Sequence, residues 1–149
     1  MRSLKGWSCS VLAIVLISVL PALAEDVSAR LGDLMATVQL RHSKLWYAGN
    51  LKNWPLADYE LQQLDATLKQ VARTDPNTPA SDLTATEKLT GLISESIKAE
   101  DRAKFQQAFA QMTVECNNCH NAAGRAFIII RKPSFPSVYS NQAYAPSKR

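Results

Sequence analysis

Apolar residues recur at helical spacing along most of the chain. Over residues 27–49 they fall at Leu31, Leu34, Met35, Val38, Leu45 and Trp46, and His42 and Gly49 continue the same stripe. This i, i+3, i+4, i+7 recurrence predicts a helix with one buried face, stopping at Gly49-Asn50. A second helix is predicted from Asn53-Trp54-Pro55, because proline fits a first helical turn. Its inward positions are Leu56, Tyr59, Leu61, Leu64, Leu68 and Val71, and Asp75-Pro76-Asn77-Thr78-Pro79 breaks it. Thr84-Ala85-Thr86-Glu87 has the form of a capping box and predicts the start of a third helix, with Leu89, Leu92, Ile93 and Ile97 inward. Asp101 is placed to cap a fourth, which carries Phe105, Ala108, Phe109 and Met112, and the stripe runs on through Cys116, Cys119 and His120.

No stretch alternates with period two for long enough to form a sheet. Four helices with short connections predict an all-α fold, an antiparallel up-down four-helix bundle. The run Phe127-Ile128-Ile129-Ile130 is apolar but short, and Pro133, Pro136 and Pro146 forbid a long helix after it. The C-terminal tail is therefore expected as extended chain laid over the bundle. No internal repeat or low-complexity segment is present.

The first 24 residues have a different character. Arg2 and Lys5 precede the apolar run VLAIVLISVL, and Pro21-Ala22-Leu23-Ala24 follows with alanine at both small-residue positions. This is the pattern of a secretory signal peptide cleaved after Ala24, which leaves residues 25–149 as one domain. The run is short for crossing about 30 Å of hydrocarbon, so no membrane span is expected after its removal. Cys9 lies ahead of the run and not at the cut, which speaks against a lipid-anchored cysteine. Loss of Arg2 and Lys5 lowers the 17 basic residues to 15 against 13 acidic ones, a net charge of +2. No basic patch marks a nucleic-acid partner. At 46% apolar residues the composition is that of a globular chain and excludes disorder. The expected location is the periplasm, if the source is a bacterium.

The chemistry is concentrated in Cys116-Asn117-Asn118-Cys119-His120, a C-x-x-C-H sequence of the kind that attaches a c-type haem. The two thiols add across the haem vinyl groups, and the adjacent imidazole reaches the iron as an axial ligand. Residues three apart on a helix point the same way, and His120 follows one step round that face. A thioredoxin-type C-x-x-C needs a preceding strand, whereas this motif sits at a helix end. A zinc site needs about four ligands, and the exported chain offers only Cys116, Cys119, His120 and His42. Because the motif extends the apolar stripe, the haem is expected inside the bundle, where it adds to the core.

With these residues in view, the chain resembles the class II cytochromes c, the cytochrome c-prime type, over residues 26–124. The segments His42-Ser43-Lys44-Leu45-Trp46 and Asn53-Trp54-Pro55-Leu56-Ala57-Asp58-Tyr59-Glu60 are also similar to a group of bacterial exported haem proteins. The resemblance implies a four-helix bundle with one covalent haem c. One departure is plain: 29 residues follow His120 here, whereas a cytochrome c-prime ends soon after its motif.

The sixth iron position decides between functions. Met35 and His42 are seven residues apart and share a face of the first helix. In an up-down bundle, His120 lies about 28 Å above the connection at one end, Met35 about 21 Å and His42 about 10 Å. Height therefore favours Met35 as second axial ligand. The related b-type bundle cytochrome, which the chain resembles in architecture, also uses a methionine early in helix one. His42 as ligand and an empty sixth site remain the alternatives, and Gln39 could hydrogen-bond whatever binds there. Arg125, Arg131 and Lys132 could neutralise the haem propionates. Nothing resembles a nucleophile triad, a phosphate loop or a paired-carboxylate site, so the chain is not expected to be an enzyme. The expected function is a mono-haem electron carrier serving a redox partner protein. Five-coordinate iron binding a diatomic gas such as nitric oxide is the alternative, and the architecture allows a homodimer.

Overall fold

The computed structural model describes the backbone of residues 10–75, 80–134 and 141–146, and side chains from residue 30 onward apart from 80–83. Its elements in order are α1 (Ser10–Asn50), α2 (Trp54–Thr74), α3 (Ala80–Lys98) and α4 (Arg102–Ala122), with no strand among the described residues. α1 packs chiefly on α2 and α3 on α4, and α1 meets α4 more sparsely. The expected four-helix bundle is the architecture.

Two boundaries differ from expectation. α1 begins at Ser10, not near Val27, and so takes in the segment assigned to the leader. That segment is rich in leucine and alanine with no glycine, and its one proline, Pro21, does not end the helix. α3 begins at Ala80, which puts Thr84 and Glu87 inside the helix and removes the capping box as its start. Among the described residues no helix is long and apolar enough to cross a membrane.

The Asp101 cap at α4 is the expected one, and Asn53 caps α2. The Asn53 side chain accepts from the Leu56 amide and that of Asp101 from the Lys104 amide. α1, α3 and α4 all end in the same reversal. The amides of Lys52 and Asn53 donate to the carbonyls of Gly49 and Ala48, those of Glu100 and Asp101 to Ile97 and Ser96, and those of Gly124 and Arg125 to Asn121 and His120. This is the Schellman arrangement, which needs one left-handed residue. Lys52 (φ 61°), Glu100 (φ 51°) and Gly124 (φ 69°) supply it.

Ring contacts fix how α1 lies on α4. His42 stacks on Phe109 at 4.4 Å between ring centroids, and Trp46 meets Phe109 at 5.1 Å and Phe105 at 6.3 Å. A Cβ on Gly49 would run into the Phe105 ring. As the α1 number rises the α4 number falls, so the helices are antiparallel with partner numbers summing to 151–155. Near the short connections the core is closed: Leu45, Ala48, Ala57, Phe105 and Phe109 have no exposure. Toward the other end Leu34, Met35, Leu68, Leu89 and Cys116 are only partly buried against it. Gly49→Ala should lower stability by about 1–3 kcal/mol through overpacking against Phe105, read as a fall in the urea midpoint.

Two residues expected inside face out. Tyr59 is 50% exposed and Leu92 39%. The buried stripe of α2 runs instead through Trp54, Ala57, Leu61, Leu64 and Val71 with Glu60 beside it. Tyr59 then flanks the guanidinium of Arg41, 6.0 Å from the ring centroid.

Candidate functional site

Cys116, Cys119 and His120 occupy the last turns of α4, as expected. The two cysteines form no disulfide among the described residues and are of intermediate exposure, and His120 is buried. Burial pushes the Cys116 thiol up to about 12, with smaller contributions from Cys119 and Glu115. A thiol held protonated at neutral pH is the opposite of the activated thiolate that disulfide exchange requires. Among the described residues no three His, Cys, Asp or Glu side chains gather around one point as a metal cage. A haem iron needs no such cage, since the porphyrin supplies four of its ligands.

The chain after α4 is what orients His120. Gly124 turns the backbone, and the tail runs back along the helix. His120 Nδ1 lies 2.8 Å from the carbonyl oxygen of Ile128. A carbonyl only accepts, so Nδ1 carries the proton and Nε2 keeps its lone pair. Asn117 holds this stretch of tail at two points: its Nδ2 donates to the Ile130 carbonyl (2.9 Å) and its Oδ1 accepts from the Ile130 amide (2.8 Å). Further along, Tyr47 donates to the Ser134 carbonyl at 2.9 Å. The expected extended tail is therefore a strap bonded to both α1 and α4.

His42 is arranged the other way. Its Nε2 lies 2.9 Å from Thr113 Oγ1, and that hydroxyl spends its one proton on the Phe109 carbonyl at 3.0 Å. Nε2 of His42 is then the donor, and a nitrogen bearing a proton offers no lone pair to a metal. Its exposure is 3%, and burial lowers its pKa to about 4. The unfolded histidine, at the ordinary 6.5, takes a proton first. Stability from the neutral ring is thus complete above about pH 6.5 and is lost as pH falls toward 4. Urea titrations should show a decline of about 3 kcal/mol over that window, and His42→Gln should flatten it.

The α1–α4 register puts Met35 within about one turn of the height of His120. His42 lies seven residues, about 10 Å, lower. Met35 is half-buried against the core together with Leu34, Leu68 and Cys116. Gln39 and His42 share a separate cavity of about 380 Å³ between α1 and tail residues 129–134, which none of Cys116, Cys119, His120 or Met35 lines. Lys132 sits over the Trp46 ring at 5.1 Å.

These donors suit a covalently attached haem. Two thiols share one helical face, an imidazole beside them presents a bare Nε2, and the surrounding apolar side chains leave that end of the bundle incompletely closed. Thr113 and the Ile128 carbonyl were not legible as partners of the two histidines, nor Asn117 as the clamp on the strap. Asn117 and the carbonyl act through backbone groups of a tail without periodicity, and the inward position of Thr113 on α4 was the only signal for it. The chain matches no protein-family model, no curated protein and no solved structure.

Proposed function

We propose that the protein is an exported mono-haem c-type cytochrome acting as an electron carrier. The haem would be joined through Cys116 and Cys119, with His120 and Met35 as axial ligands. The observation that carries this reading is the hydrogen bond from His120 Nδ1 to the Ile128 carbonyl, next to a C-x-x-C pair. It fixes the ring and the tautomer, as a carbonyl partner does for metal-bound histidines. When bound, such a group carries one electron between ferrous and ferric iron. The chain's own part is ligation from His120, a thioether at matching height from Met35, and apolar walls from Leu34, Leu68 and Leu89 that keep water away. His42, whose Nε2 proton is committed to Thr113, serves as a core residue in this reading.

Acid–organic extraction of the denatured, export-matured protein tests the proposal. One haem per chain should remain with the polypeptide, and Cys116→Ala/Cys119→Ala should release all of it. Haem that extracts freely from the wild type removes the basis of the reading. The five-coordinate gas-binding alternative predicts a high-spin ferric spectrum in the same preparation.

A further inference from the structure

After Glu115 the sequence contains no Asp or Glu, while Arg125, Arg131, Lys132, Lys148 and Arg149 all follow it. Residues 25–115 carry 10 basic and 13 acidic side chains. The charge of the chain is therefore polarised, with the positive part beginning at the C-x-x-C-H motif. The strap adds an apolar element to that pole. Its apolar side chains stand out of the core: Phe127, in the turn closed by the Ile128 amide on the Arg125 carbonyl, is 81% exposed, Ile129 64% and Ile128 40%. Arg131, also exposed, extends this outward row. The backbone behind this row is not slack, because Asn117 clamps Ile130 on both sides. The carbonyl of Ile128 is itself bonded to His120. Arg125, Arg131 and Lys132 enter none of the ion pairs among the described residues.

Resting on the electron-carrier reading, we infer that the outward row Phe127–Ile129–Arg131 is the docking surface for the redox partner, a protein whose contact face has an apolar centre rimmed by carboxylates. Charge complementarity selects the partner, and the two exposed apolar side chains give it a dry centre. Docking there leaves one layer of backbone between the partner and His120. One electron crosses at the Ile128–His120 hydrogen bond, with one side oxidised as the other is reduced, and no atom is transferred. The size of the patch fits this use. Electron-transfer encounters work with interfaces below about 1,200 Å². An anionic lipid surface gains only about 1 kcal/mol per basic residue, and three such residues with two apolar side chains fall short of stable anchoring.

The test uses the full-length, haem-loaded protein on a gold electrode coated with a mixed monolayer of carboxylate- and methyl-terminated thiols. Wild type should exchange electrons quickly at low ionic strength and slowly at high. Arg131→Glu should slow exchange about tenfold, the lower end of steering effects, and Phe127→Ser with Ile129→Ser should do so while leaving the optical spectrum unchanged. Equal rates in wild type and variants, or no exchange by wild type, overturn the inference and leave the haem reading standing. Variants that lose binding to phosphatidylglycerol vesicles yet keep wild-type electrode rates overturn it in favour of a membrane surface. Absence of covalent haem overturns both readings together.

Discussion

Met35→Ala in the haem-loaded protein will abolish the weak far-red sulfur-to-iron band of the ferric form, open the iron to carbon monoxide or nitric oxide, and lower the reduction potential. Thioether ligation favours ferrous iron, and axial ligands together span about 0.8 V of potential, so the drop should be a readily measured part of that range. The expectation rests on height. The ring contacts between α1 and α4 set partner numbers summing to 151–155, which brings residue 35 within about one turn of residue 120. His42→Ala should leave the band in place, because its Nε2 donates to Thr113 and its position is about two turns lower. A spectrum lost in His42→Ala and kept in Met35→Ala would make the iron bis-histidine and would require Thr113 to surrender its bond. A high-spin ferric wild type would favour the gas-binding function.

Arg41→Ala will cost about 3–5 kcal/mol of stability, measured by urea unfolding of wild type and variant under one condition. Arg41 donates to Glu60 Oε2 at 3.0 Å, and the side chains are 22% and 2% exposed. Removing the cation strands a carboxylate in the core, and breaking a buried pair from one side carries a penalty of that size. The double variant Arg41→Met/Glu60→Leu should recover most of the loss, since the desolvation penalty of both charges goes with them. A single variant within 1 kcal/mol of wild type would show that water reaches Glu60 by another route.

The helical periodicity was legible because each helix buries one face. Leu31, Val38, His42 and Leu45 on α1, and Leu61, Leu64 and Val71 on α2, are inside as their spacing requires. Asp101 was legible as a cap because a cap acts within its own turn. Failures arose where partners are distant or where two local signals compete. Thr84 and Glu87 satisfy a capping pattern, but the helix already has its start at Ala80. Tyr59 matches the apolar stripe of α2, yet Glu60 takes the inward place because Arg41 stands opposite, on another helix. At the site, the three motif residues announce themselves by adjacency. What orients His120 is a carbonyl eight residues on, and a carbonyl has no signature in sequence.

The strap also sets an order of assembly. Its bonds to α4 join residues 8 and 13 apart, whereas the Tyr47–Ser134 bond joins residues 87 apart. Closing the longer loop costs about 2 kcal/mol more in chain entropy than closing the shortest. The clip on His120 can thus form with α4 alone, before α1 is in place, while the Tyr47 latch waits for the whole bundle. The imidazole is aimed early in folding, and the far end of the strap, beside the helix connections, closes last.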